Sequence, residues 1–407
     1  MTHRQPPLLH PSPRPNTSAS QLGFCPVRLQ RLSAVLQAEV DRQRLPGVVA
    51  LIARRGQTVM FESLGLQDPA KGTPMQVGSI FRVYSMTKPI VSVAAMMLVE
   101  QGRLQLADPV AKYLGAFAKQ QVGTVVDGAL HLHDVPQGAT IHDLLRHTAG
   151  LTYEFMGSGP IQRRYAQARV AARDGSNAEH SQTLASLPLV AHPGSVFEYS
   201  RATDVLGHVL EVICGQTLYE LLHQLILEPL GMTETWFTVP AQHHERIAEP
   251  FAKDPDGGLQ MRMIDVRQHV ARQSAGGGLA STAHDYARLL QCLLNRGQLE
   301  GVRLLSPHTV AFMTTDHLGS IPVNPGWSRD LLPLGYGFGL GFAVRLHAGV
   351  ASVPGSIGSY YWGGLGGTTF FVDPLQDLFA ILMVQAPNQR EHYRMLFANL
   401  VYAALID

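Results

Sequence analysis

Two short runs near the amino terminus decide the fold: Val48-Val49-Ala50-Leu51-Ile52-Ala53 and Thr58-Val59-Met60-Phe61-Glu62-Ser63-Leu64, separated by Arg54-Arg55-Gly56-Gln57. Both are rich in β-prone residues, and the polar, glycine-containing break between them predicts a hairpin. Ahead of it, Leu29, Leu32, Val35, Leu36, Val40 and Leu45 recur at helical spacing within Pro26 to Leu45. That pattern predicts a helix with one buried face, stopped by Pro46-Gly47. Working outward, sheet signals return only at the far end of the chain. From Gly335 to Phe342 glycines alternate with large apolar residues, and Ser359 to Val372 and Leu378 to Val384 read as strands joined by a turn at Asp373-Pro374-Leu375-Gln376-Asp377. Glu391 to Ile406 closes with another helical pattern. In between, Pro89 to Gly102 is helical, and from about Leu106 to Asn295 helical segments alternate with loops such as Pro136-Gln137-Gly138 and His192-Pro193-Gly194. Strands at both ends, bracketed by terminal helices and split by a helical insert, predict an α+β fold: one antiparallel sheet with helices on its faces. The expected division is a flexible proline-rich arm at 1–24, a discontinuous sheet domain at 25–105 and 296–407, and a mainly helical domain at 106–295, with the site between the two domains.

Composition excludes several function classes. Of 407 residues 45% are hydrophobic and only 15% charged, against about 25% charged in an average soluble protein, so a large core is available. Lys+Arg number 32 and Asp+Glu 31; a net charge of +1 without a long basic run gives no field to gather phosphates, and no nucleic-acid partner is expected. Cys25, Cys214 and Cys292 are far apart and odd in number, which argues against a disulfide framework or zinc knuckle and points to a reducing cytoplasm. Pro89 to Val99 and Leu378 to Val384 fall short of the roughly 20 residues of a membrane helix. The first 24 residues lack the apolar core of a secretory signal. His131-x-His133-Asp134 and His243-His244-Glu245 place ligand types side by side but offer no third ligand at a recognisable spacing, so neither metal nor cofactor is expected.

Ser85-Met86-Thr87-Lys88 is the sharpest chemical signal. It opens a helical run, so Ser85 and Lys88, three apart, share a face at a helix N-terminus. The helix dipole and the lysine together make the serine hydroxyl easier to deprotonate. Tyr199-Ser200, ahead of a helical pattern from Asp204 to Cys214, offers a tyrosine that becomes a general base if a cation lowers its pKa, and Lys88 is the available cation. Trp362-Gly363-Gly364-Leu365-Gly366-Gly367-Thr368 lies within an expected strand. Its glycine density suggests an edge where something approaches the backbone closely, and a free N–H there, with that of Ser85, would form an oxyanion hole.

With these motifs in this order, the chain from about Leu22 onward resembles the serine hydrolases related to class C β-lactamases and DD-peptidases, and most nearly the family VIII carboxylesterases. Ser85-Met86-Thr87-Lys88 matches the nucleophile motif, His147-Thr148-Ala149-Gly150-Leu151 the H-T-S-G-L segment, Tyr199-Ser200-Arg201 the Y-x-N element, and Gly276-Gly277-Gly278-Leu279 a later glycine-rich segment. The resemblance implies a β-lactamase-like fold, Ser85 as nucleophile, and Tyr199 as base, held as phenolate by Lys88. It further implies the Ser85 and Leu365 N–H groups as oxyanion hole, and Tyr153, Trp362, Gly363 and Gly364 at the substrate. Trp362-Gly363-Gly364 stands where β-lactamases carry K-T-G, which favours a neutral small-molecule ester over an anionic lactam. Arg201 replaces the usual Asn and is free to point to solvent. The expectation is a cytoplasmic carboxylesterase working through an acyl-Ser85 intermediate. The alternatives are a β-lactamase, D-amino-acid peptidase or amidase, an acyltransferase, or an inactive ligand-binding homologue.

Overall fold

The computed structural model describes residues 19–407. Its centre is an eight-stranded sheet of β1 (Gly47–Arg54), β2 (Gln57–Asp68), β3 (Thr73–Pro74), β4 (Tyr336–Phe338), β5 (Ala343–Arg345), β6 (Tyr360–Gly363), β7 (Thr369–Asp373) and β8 (Leu378–Val384). The strands lie in the order β4-β5-β6-β7-β8-β1-β2-β3, antiparallel throughout. The amino-terminal hairpin therefore docks on the last strand of the chain, in register from Val48↔Val384 to Arg54↔Leu378.

Every residue of β1 and β8 is buried, because helices cover both faces of this seam. Val48, Ala50 and Ile52 share a core with α1 (Pro26–Asp41) and α5 (Arg390–Ala404), through Leu29, Leu32, Leu36, Phe397 and Val401. Val49, Leu51 and Ala53 point the other way, into a second core with α2 (Thr87–Glu100), α3 (Ala202–Cys214) and α4 (Ala283–Leu294). The period-two alternation of a strand thus divides one apolar run between two cores. Of these helices, α2 is buried on nearly every side, which fits its lack of a polar stripe.

The hairpin turn is shorter than its polar break suggests: only Arg55 (φ 52°) and Gly56 (φ 70°) connect the strands, two left-handed residues whose twist matches that of the flanking strands. Three expectations need correction. The run Ser359 to Val372 is not one strand but the hairpin β6–β7, so Trp362 and Gly363 end a strand while Gly364 to Thr368 form its turn. The glycine alternation at 335–342 pairs only over Tyr336–Phe338; at Gly341 the backbone turns to φ 97°, with Ser92 of α2 so near that a Cβ would lie 2.5 Å from its Oγ. The stretch 121–134, expected in a helical region, is a hairpin of Gln121–Val126 and Ala129–Asp134. There the His133 ring bonds Thr124 at 2.9 Å, and His131 sits on the second strand. The arm expected at 1–24 falls mostly on residues 1–18, outside the described residues; Leu22 and Phe24 belong to the core. Among the described residues no single helix is long and apolar enough to cross a membrane, and no three His, Cys, Asp or Glu side chains gather as metal ligands.

Candidate active site

Ser85 lies in the short 3-10 turn Tyr84–Met86 that feeds α2. Tyr84, just before it, has φ 45°, a left-handed conformation that costs a non-glycine residue on the order of 1–3 kcal/mol and persists only where its surroundings enforce it. They do. The Val83 N–H donates to Leu279 O at 3.0 Å, the Leu279 N–H to Thr87 Oγ1 at 3.1 Å, and the Tyr286 hydroxyl to Met86 O at 2.9 Å. The Tyr84 hydroxyl accepts from the Ile264 N–H at 2.9 Å. The glycine-rich segment from Gly276 to Leu279 is therefore a clamp on the serine turn.

One helical turn on, Lys88 is 1% exposed. Its Nζ lies 3.2 Å from Ser85 Oγ, 3.1 Å from the Tyr153 hydroxyl and 2.6 Å from the Gly276 carbonyl. Burial pushes the Lys88 ammonium down to about 7, with Asp204 opposing and Arg201 reinforcing the shift. Asp204, at the start of α3, accepts from Ser274 Oγ at 2.7 Å and the Gly276 N–H at 2.9 Å, so it holds the residue whose carbonyl accepts from Lys88. Arg201 does not point to solvent. It is buried, chelated by Glu154 at 2.7 and 2.9 Å, and 3.4 Å from Asp204, with its guanidinium over the Tyr153 ring.

Tyr199 stands across from Lys88, whose Nζ lies 4.6 Å from the centre of the phenol ring rather than on its hydroxyl. That hydroxyl accepts from Trp362 Nε1 at 3.3 Å. Burial pushes it well above the usual tyrosine range, and hydrogen bonds with Ser85 and Trp362 offset this only in part. Burial thus works against the phenolate that the resemblance implies, and Lys88 Nζ faces the ring rather than the hydroxyl oxygen. His147 packs against the Tyr199 ring at 4.6 Å between centres and accepts from the Ser200 N–H at Nδ1, 3.3 Å away. Burial, with the nearby Lys88 adding to it, holds the His147 imidazole well below its usual range. Glu198 ties this strip to Thr152 (2.7 Å) and Ser328 (2.9 Å), and so to the segment carrying Trp327.

The β6–β7 turn presses against the serine turn. A Cβ on Gly364 would lie 2.4 Å from Val83 O, and one on Gly366 within 3.0 Å of the Tyr84 ring. This close approach accounts for the glycine density. A cavity of about 540 Å³ opens here, lined by Ser85, Tyr153, Tyr199, Trp362, Gly363, Gly364 and Leu365. The structure thus brings together every residue expected at the site. Sequence reasoning missed Asp204, Glu154 and the Gly276 carbonyl. An acid three residues after Arg201 at a helix start was a faint signal for Asp204; the carbonyl has none.

The profile of the Beta-lactamase family matches residues 32–403. Esterase EstB of Burkholderia gladioli is 33% identical over 377 residues, covering 87% of this chain and 89% of that protein. Protein Rv1367c of Mycobacterium tuberculosis is 36% identical over 359 residues, 86% of this chain and 88% of its own. Among solved structures, EstCE1, described as a hydrolase with promiscuous acyltransferase activity, superposes with a TM-score of 0.76 at 29% identity, over 92% of this chain and 98% of that one. A serine at a buried helix start, a lysine 3.2 Å from its hydroxyl and matches along nearly the whole chain lead to one assignment: the chain belongs to the Beta-lactamase family, as a serine hydrolase resembling the family VIII carboxylesterases.

Proposed function

We propose that this protein hydrolyses small carboxylic esters through an acyl-Ser85 intermediate, with Lys88 as the first base. The observation that carries the reading is the environment of Lys88 Nζ. A neutral amine has two N–H donors and one lone pair. Gly276 O and the Tyr153 hydroxyl take the donors, and the lone pair is left for the hydroxyl of Ser85, 3.2 Å away. An ammonium would have no acceptor site for that proton.

In this scheme Ser85 Oγ attacks the ester carbonyl as its proton moves to Lys88. The carbonyl oxygen becomes an oxyanion held by the Ser85 and Leu365 N–H groups. Collapse breaks the bond to the alcohol oxygen, which leaves with a proton from the Tyr199/Lys88 pair. Water then enters, gives a proton to the same pair, attacks the acyl carbon and releases Ser85. Trp362 and Phe155 make the neighbouring cavity wall apolar, which suits an acyl group. A cytoplasmic location accords with three free cysteines.

The test is turnover of nitrophenyl acetate, nitrophenyl butyrate and a chromogenic cephalosporin by the protein and its Ser85→Ala variant. Ester turnover that vanishes with Ser85, with little lactam turnover, is the expected result. A faster cephalosporin reaction would assign a β-lactamase instead, and activity surviving in Ser85→Ala would remove the nucleophile. Acyl transfer to an added alcohol is the second reading, favoured by EstCE1, whose description includes that activity; ester product formed in the presence of an alcohol cosubstrate would establish it.

A further inference from the structure

The cavity at Ser85 is unevenly charged. Its lining includes Arg173, Arg262 and Arg272 on the wall built from residues 171–173 and 261–272, and that wall contributes no acid. Glu154, the one carboxylate in the whole lining, is committed to Arg201. Arg390 and Arg394, also in the lining, share Glu391 at 3.4 and 3.0 Å. The bare wall has no such arrangement. Nη1 of Arg173 reaches only the Asp265 carbonyl at 3.4 Å, and its Nε and Nη2 are buried without a hydrogen-bond partner among the described residues. Arg272, 3% exposed, spends Nη1 on Val170 O and the His180 ring and Nη2 on Ala171 O at 3.3 Å, while its Nε has no partner among the described residues. The Asp265 side chain is half-exposed and faces Arg267. Asp204, the acid nearest Arg272 in effect, is already occupied by Arg201, Ser274 and the Gly276 N–H.

A guanidinium removed from water without a counter-charge is costly, and one whose N–H groups remain unpaired is more so. Two such groups, Arg173 and Arg272, on one wall of a reaction cavity with the exposed Arg262 beside them call for a negative partner from outside the chain. Guanidinium matches carboxylate and phosphate oxygens with paired hydrogen bonds. We propose that this wall is an anion subsite, so that the preferred substrates are esters carrying a second, ionised oxyanion group that seats on Arg173 in the field of Arg262 and Arg272. The proposal rests on the hydrolase reading of Ser85 and adds to it the class of substrate. It also amends the expectation of a neutral ester, since the positive charge absent at Trp362 is supplied by a different part of the chain.

Nitrophenyl hemisuccinate and nitrophenyl butyrate share an acyl spacer and differ by a carboxylate in place of a methyl group, so the ratio of their kcat/KM values reads the subsite. The ratio should favour hemisuccinate, shrink as salt is raised, and fall roughly tenfold in Arg173→Gln, with a smaller fall in Arg262→Gln. A merely structural role for Arg173 would lower both esters alike. A binding arm separates this proposal from the hydrolase reading: calorimetric titration of Ser85→Ala, and of Ser85→Ala with Arg173→Gln, by succinate and by inorganic phosphate. Binding lost with Arg173 supports the subsite even if neither ester is cleaved. Tighter succinate assigns a carboxylate, tighter phosphate a phosphate monoester. An ester ratio indifferent to Arg173, together with anion binding that is absent or independent of it, overturns the proposal.

Discussion

Lys88 can serve as a base because its ammonium is unfavourable where it stands. Burial brings its pKa from 10.5 down to about 7, so above that pH the side chain is an amine able to accept the Ser85 proton, and below it the lone pair is lost. kcat/KM for a nitrophenyl ester should therefore rise with pH through about 7 and then level off. A profile flat between about 6 and 8 would exclude Lys88 as the titrating base. Lys88→Arg keeps a cation but never an amine, and should cost roughly 10²–10⁴ in kcat. Residues of this kind were legible to different degrees. Ser85 and Lys88 stood out because three residues on a helix make one face. Tyr153, Tyr199 and Trp362 come from distant segments, and only the resemblance grouped them. The Gly276 carbonyl was beyond reach, since a backbone acceptor leaves no mark in a sequence, and the burial of Arg201 became visible only once Glu154 was seen to chelate it.

At the scale of elements, two glycines in turns make opposite demands. Gly56 needs its φ of 70° but has open space around it; Gly364 has no unusual φ but is pressed on Val83 O and Thr368 Oγ1. Gly56→Ala should cost about 1 kcal/mol of stability and leave turnover per folded molecule unchanged. Gly364→Ala should cost about 1–3 kcal/mol and, because the β6–β7 turn must retreat from the serine turn, lower kcat by as much as about 10²-fold. Urea titrations read the first quantity for each variant, and steady-state assays the second. A Gly364→Ala enzyme with full kcat would detach this turn from the chemistry. The same two turns mark what could be read of the elements. A polar break between apolar runs announced the β1–β2 hairpin, whereas the apolar residues on both sides of Gly364 hid the β6–β7 turn inside one apparent strand. The Gln121–Asp134 hairpin was missed because its strands are mostly exposed and carry no apolar alternation against a core.

The whole molecule is closed by its ends. β1 pairs with β8, α1 packs beside α5, Phe24 bridges Leu405, and the Ile406 N–H donates to Gly23 O at 2.8 Å. Arg54, buried at the end of β1, gathers Leu22 O, Gln376 O and the Asp407 carboxylate around one guanidinium. This closure lies in the core shared by α1 and α5, while the serine turn and α2 belong to the core on the other face of the sheet. Stability and catalysis should separate accordingly. Phe24 is fully buried, so Phe24→Ala removes an aromatic ring from a packed core and should cost about 3–5 kcal/mol. Its loss should lower the urea midpoint while kcat per titrated active site stays the same, because no segment that carries Ser85, Lys88 or Tyr199 touches that core. If residues 19–24 were instead part of a loose arm, as their place next to a proline-rich stretch suggests, the substitution would leave the midpoint where it was. If kcat fell together with stability, the two faces of the sheet would be coupled through β6, whose Tyr361 packs against both cores and whose next residue is Trp362.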